Sequence, residues 1–137
     1  MGHEDMLRVL ARADTDRLKG FANPLIAELG EVEVIANRTG LVMLPMRDTA
    51  QGTHFHLGEV LMSEASIIAS GVEGFGMRRG RDLEAAMAMA VVDACVALGR
   101  AGARCQAFLE EEARRLAAKD REMLCRVEAT RVDTETF

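Results

Sequence analysis

Residues 74–82, Gly74-Phe75-Gly76-Met77-Arg78-Arg79-Gly80-Arg81-Asp82, set three arginines among glycines directly ahead of a helix-periodic segment. Free backbone N–H groups in a first helical turn, the positive end of the helix dipole and guanidinium forks would together favour a phosphate-like anion. The spacing matches neither G-x-x-x-x-G-K-S/T nor G-x-G-x-x-G, so no nucleotide fingerprint is met. An exposed turn with solvated or salt-bridged arginines is the plainer alternative. His54 and His56 alternate with Phe55 and Leu57 on one strand and share a face, but no third ligand stands at a recognisable metal spacing. Glu59 and Glu64 follow closely, and carboxylates at strand ends are usually solvated rather than paired for acid–base work. Cys95 and Cys125 fall on helical apolar stripes and read as small core residues. Cys105 lies beside Arg104 at a helix start, where a thiolate would be favoured, a weak signal standing alone.

These residues need a scaffold, and 137 residues with 49% apolar and 28% charged side chains are enough for one packed domain over 1–137. The formal net charge of −5 argues against a nucleic-acid-binding surface and confines any anion site to a local patch. The three cysteines are widely spaced with no CxxC pair, as expected of reduced thiols. The N-terminus lacks a basic region followed by an apolar run, and no stretch is long and apolar enough to span a bilayer. A soluble cytoplasmic protein without export signal or membrane anchor is expected.

The periodicity predicts an α+β fold: a small antiparallel sheet of about four strands flanked by N-terminal helices, one buried helix and a long C-terminal helix. Leu7, Leu10, Leu18, Phe21, Leu25 and Leu29 keep near-helical spacing, interrupted by Asp14-Thr15-Asp16 as a cap between two short helices, with Pro24 a point of kink or restart. Val32, Val34 and Ala36 alternate with polar neighbours. Asn37-Arg38-Thr39-Gly40 then reads as a turn into a second strand, Leu41–Leu44. A loop at Asp48–Gly52 leads to a third strand at Thr53–Leu57. Ser63–Val72 supplies a fourth, before a glycine-rich turn region at Gly71–Gly80.

Asp82 then caps a helix apolar on almost every side, from Leu83 to Leu98, to be buried under the sheet or given to a partner. The last helix, from about Arg104 to Ala129, carries a narrow stripe of Cys105, Phe108, Leu109, Leu116, Met123, Leu124 and Val127. It would be about 40 Å long, against a domain radius of gyration of roughly 14 Å. Glu110 with Arg114, Glu111 with Arg115 and Glu122 with Arg126 are spaced to pair along its wet side. A long helix with a thin apolar stripe suits contact with another chain, and nine methionines add adaptable apolar surface. The chain's function is therefore expected in a larger assembly, with no catalytic residues, metal or cofactor of its own.

Several pieces, in order, carry a resemblance: Thr39-Gly40-Leu41-Val42, Phe55-x-Leu57-Gly58-Glu59, Glu64-Ala65, Gly74-x-Gly76, Gly80-Arg81-Asp82, Asp93-Ala94 and Ala129-Thr130-Arg131-Val132-Asp133. Together they resemble the PhnG family, the G subunit of the carbon-phosphorus lyase core complex of phosphonate catabolism. The resemblance implies H, I, J and L subunits as partners. It also implies ATP as the complex's substrate, with transfer of the ribose 5-triphosphate of ATP to methylphosphonate and release of adenine, the I subunit carrying the nucleosidase activity. On it, Arg78, Arg79 and Arg81 become candidates for contacting an anionic substrate or an acidic partner surface, and Arg131 with Asp133 for docking the C-terminal tail. Met87 stands where that family tends to have a glutamate, and the chain ends Thr134-Glu135-Thr136-Phe137 in place of two aromatics and an Arg-Gly ending. An independent small anion-binding or regulatory protein is the alternative from a different functional class.

Overall fold

The computed structural model describes residues 1–47 and 54–135, with side chains described at all of these except 44–47, 54–57 and 131–135. Helix α1 (His3–Arg12) and helix α2 (Thr15–Leu29) meet at Asp14, whose Oδ2 accepts the backbone N–H of Arg17 at 3.1 Å as an N-cap. Pro24 neither splits nor restarts α2, which runs on as one element. Leu10, Leu18, Leu25 and Leu29 are fully buried and turn both helices toward a common core.

Among the described residues three strands follow, where about four were expected: β1 (Val32–Arg47), β2 (His54–Ala69) and β3 (Val72–Arg79), antiparallel in the order β1-β2-β3. The runs Val32–Ala36 and Leu41–Leu44 are one strand. Asn37, Arg38, Thr39 and Gly40 pair with Ala65, Glu64, Ser63 and Met62, and this ladder overrides their local turn preference. In the same way β2 joins the two stretches expected as third and fourth strands, and β3 occupies the segment expected as a turn. The expected loop at Asp48–Gly52, and Thr53, lie outside the described residues. Ser70 and Gly71 connect β2 to β3 with φ of 50° and 79°, the doubly positive conformation of a tight hairpin turn.

Helix α3 (Leu83–Leu98) is buried along most of its length from Ala85 to Cys95 and lies between the sheet and α2. Of the two roles open to an all-apolar helix, it takes the central one. Its approach to β3 depends on glycine: a Cβ at Gly74 would overlap the Ala90 carbonyl oxygen and come within 2.9 Å of Ala94 Cβ. One at Gly76 would overlap the Ala86 carbonyl oxygen and lie 3.0 Å from Met89 Cβ. The glycine pair is thus a seat for a small-residue helix rather than the start of a loop.

Helix α4 (Gly102–Glu135) has 34 residues, extends the expected helix at both ends and is about 50 Å long at 1.5 Å per residue. Its first half is fastened to the body. Phe108 stacks on Phe21 with ring centroids 4.2 Å apart, buried Glu112 accepts from Arg17 Nε at 2.6 Å, and Asp120 pairs with Arg12 at 2.8 Å. Beyond Asp120 it leaves the body, and Met123, Leu124 and Val127 are 62%, 66% and 56% exposed. On the wet side Glu111 takes both Arg114 and Arg115, and Glu122 pairs with Arg126 as spaced. Glu110 accepts instead from Gln106.

Candidate functional site

The three arginines of residues 74–82 go to different places. Arg78 is on the face of β3 turned toward the helices, where β2 buries Ser63, Ala65 and Ile67. Its guanidinium donates to the carbonyl oxygens of Leu10 and Ala13, the latter at 2.7 Å, and to Thr15 Oγ1 at 3.3 Å. A buried cation therefore closes the C-terminal end of α1, whose last carbonyls have no partner within the helix. Burial pulls its pKa below the ordinary arginine value, and Asp82 and Asp14 act against that shift. Arg79 and Arg81 are exposed.

Gly80 at φ 98° ends the strand; its N–H donates to Leu61 O at 2.8 Å and its carbonyl accepts from Ser63 Oγ at 2.6 Å. Asp82 then caps α3 through Ala85 N at 3.0 Å and pairs with Lys19 at 2.7 Å, contacts that hold its carboxyl below the ordinary range. An anion at the first turn of α3 would compete with this carboxylate.

A groove of about 680 Å³ lies instead beside β3, between the end of α1 and the middle of α4. Arg12, Arg78, Arg79 and Lys119 line it together with apolar atoms of Met62, Met77 and Leu116. Arg12 is held at its rim by Asp120, which raises its pKa through a hydrogen bond and its charge. Arg79 and Lys119 make no ion pair among the described residues. Arg81 is not part of its lining. The local spacing of residues 74–82 points to Arg78 and Arg79 but not to Arg12 or Lys119, which come from helices distant in sequence.

Asp93 is the other residue that spacing alone does not assign. Buried on α3, it accepts the backbone N–H of Phe75 on the sheet's edge strand at 2.9 Å, and its other oxygen meets His3 Nε2 at 2.8 Å. At Phe75 the outer edge of β3 is thereby capped by a side chain. Arg100 does for α2 what Arg78 does for α1, donating to Glu28 O and Leu29 O at 2.9 and 3.1 Å.

The thiols separate by depth. Cys95 and Cys105 are buried, and burial raises the Cys105 thiol to about 11, against the thiolate its position beside Arg104 suggested. Cys125 is exposed, contrary to its expected place in the core, because α4 has left the body by that point. The backbones of His54 and His56 are in β2 and those of Arg131 and Asp133 in α4, but their side chains lie outside the described ones. Among the described residues no group of three or more His, Cys, Asp or Glu side chains could hold a metal ion, and no helix is long and apolar enough to cross a membrane.

Two parts of the molecule project with apolar side chains uncovered. In addition to the tail of α4, the paired residues 41–47 and 54–61 of β1 and β2 continue beyond the reach of β3, which pairs only with Met62–Ala69. This ribbon extends about 20 Å at 3.4 Å per residue. Leu41, opposite Leu61, is 61% exposed, and Val42 and Met43 are also exposed.

Residues 3–137 match the family model for phosphonate metabolism protein PhnG. The chain is also similar to the alpha-D-ribose 1-methylphosphonate 5-triphosphate synthase subunit PhnG of Rhizobium meliloti (strain 1021), with 35% identity over 133 residues, covering 96% of this chain and 85% of that protein.

Proposed function

Because the chain belongs to the PhnG family of phosphonate-metabolism proteins, we propose that it is a subunit of the carbon-phosphorus lyase system. In this reading it works in the cytoplasm with the H, I and L subunits to transfer the ribose 5-triphosphate of ATP to methylphosphonate with release of adenine. It sits in a core with the H, I and J subunits, the I subunit carrying the nucleosidase step. ATP enters as a substrate of the complex, and the chain contributes no cofactor.

The observation that carries the reading is the pair of projecting elements, with Leu41 on the ribbon and Leu124 on the tail each more than 60% exposed. A two-stranded ribbon or a single helix with one apolar stripe gains little stability unless another surface covers it. Partner subunits are the natural cover for a protein whose relative is named as a synthase subunit. Arg81, exposed ahead of α3, is proposed as a contact to an acidic partner surface, and Arg131 with Asp133 as tail contacts.

The direct test is adenine release from ATP in the presence of methylphosphonate by the H, I and L subunits, with and without this chain. Release only when it is present is the expected result. An equal rate without it would remove it from the reaction.

A further inference from the structure

The groove beside β3 concentrates positive charge on a chain whose formal net charge is −5. Its four cations come from three elements: Arg12 from α1, Arg78 and Arg79 from β3, and Lys119 from α4. Among the described residues no acidic side chain lines it. Two of the four already have partners, Arg12 in Asp120 and Arg78 in the carbonyls of α1. Arg79 and Lys119 make no ion pair among the described residues, and both are exposed. A volume of about 680 Å³ is in the range of a nucleotide-sized ligand and exceeds what one phosphate needs. The apolar atoms of Met62, Met77 and Leu116 give it a partly dry wall, against which charge-assisted hydrogen bonds are stronger than in open water.

We propose that this groove binds a linear triphosphate, with Arg79 and Lys119 as its direct contacts and Arg12 and Arg78 as fixed positive charge behind them. The identity of the compound rests on the proposed function. ATP and a ribose 5-triphosphate share the triphosphate, and either would present it to the groove. Asp120, Asp82 and Asp14 are the nearby carboxylates that limit affinity: Asp120 through its pair with Arg12, Asp82 and then Asp14 through their effect on Arg78.

Calorimetric titration of inorganic tripolyphosphate, ATP and AMP into the full chain, alone and in the co-expressed complex, tests this. Tripolyphosphate and ATP are expected to bind and AMP to bind at least tenfold more weakly, with affinity falling as salt rises. Comparable affinity for tripolyphosphate and ATP would identify the triphosphate alone as the ligand; much tighter ATP binding would add the nucleoside. Arg79→Glu and Lys119→Glu should each weaken binding about tenfold, the equivalent of one lost charged contact. Arg38→Glu, on β1 and outside the groove lining, should leave it unchanged.

Absence of tripolyphosphate binding in both the free chain and the complex would overturn the proposal, as would binding indifferent to both groove substitutions. If Arg79→Glu abolished co-elution with the partner subunits while tripolyphosphate still bound, the groove would be a protein contact and the proposal would fail. Co-elution of the unaltered chain is read separately, so failure of the complex and failure of the groove are distinguishable.

Discussion

Gly76 has no room for a methyl group. Gly76→Ala would press a Cβ into the Ala86 carbonyl and should cost about 1–3 kcal/mol by overpacking, read as a lower urea midpoint. Gly40→Ala, with nothing within 4 Å of the added carbon, should change stability by less than about 0.5 kcal/mol. Arg78→Met would leave the carbonyls of Leu10 and Ala13 without their buried donor and should cost about 2–3 kcal/mol in the same measurement. Thiol exposure gives a third test: one cysteine, Cys125, should react with a thiol reagent in the native protein and all three after unfolding. With its thiol raised to about 11, Cys105 should stay unreactive through pH 9 as long as the fold holds. At this scale the sequence marked the segment but not every role in it. Residues 74–82 stand out as a glycine–arginine run suited to anions, and the fold adds that Gly74 and Gly76 seat α3 while Arg78 caps α1. Those roles were illegible because they depend on α3 and α1, which only the tertiary fold brings alongside.

The helices were legible from their apolar periods, and α2 and α3 also from their caps. Asp14 and Asp82 both accept the N–H three residues on, as their positions before apolar-periodic runs implied. The strands were misdivided because Asn37–Gly40 has turn-forming residues whose extended conformation is imposed by pairing with residues 62–65. The glycines of β3 likewise disguised a strand as a loop. The Asp82 cap makes a pH prediction. Its carboxyl lies below the ordinary range because of Lys19 first and the Ala85 N–H second. A folded-state pKa below the unfolded value of about 3.9 gives stability that is present above about pH 4 and lost as pH falls through the folded value. Urea midpoints should therefore fall below pH 4, and less steeply in Asp82→Asn, whose amide keeps an oxygen for the cap but loses the charge facing Lys19. Parallel pH curves for the two proteins would show that Asp82 carries none of the dependence.

Taken whole, the molecule is a packed body from which a ribbon and a helix tail extend, and their uncovered apolar side chains are the surfaces that the proposed assembly would cover. The excess length of the last helix was evident from its period, whereas the ribbon was not, since its two strands were read as four short ones. The groove was half visible, because Arg12 and Lys119 join Arg79 only through the packing of α1 and α4 beside β3. Leu41→Lys on the ribbon and Leu124→Glu on the tail should each leave the circular-dichroism spectrum of the free chain unchanged while weakening association with the partner subunits. Unaltered association in both would mean that neither projection is an interface. The most direct measurement is size-exclusion chromatography after co-expression of the unaltered chain with the H, I and J subunits. Membership of the lyase core requires it to co-elute with them in one peak. A separate monomer peak in the presence of an assembled complex of the others would contradict that membership.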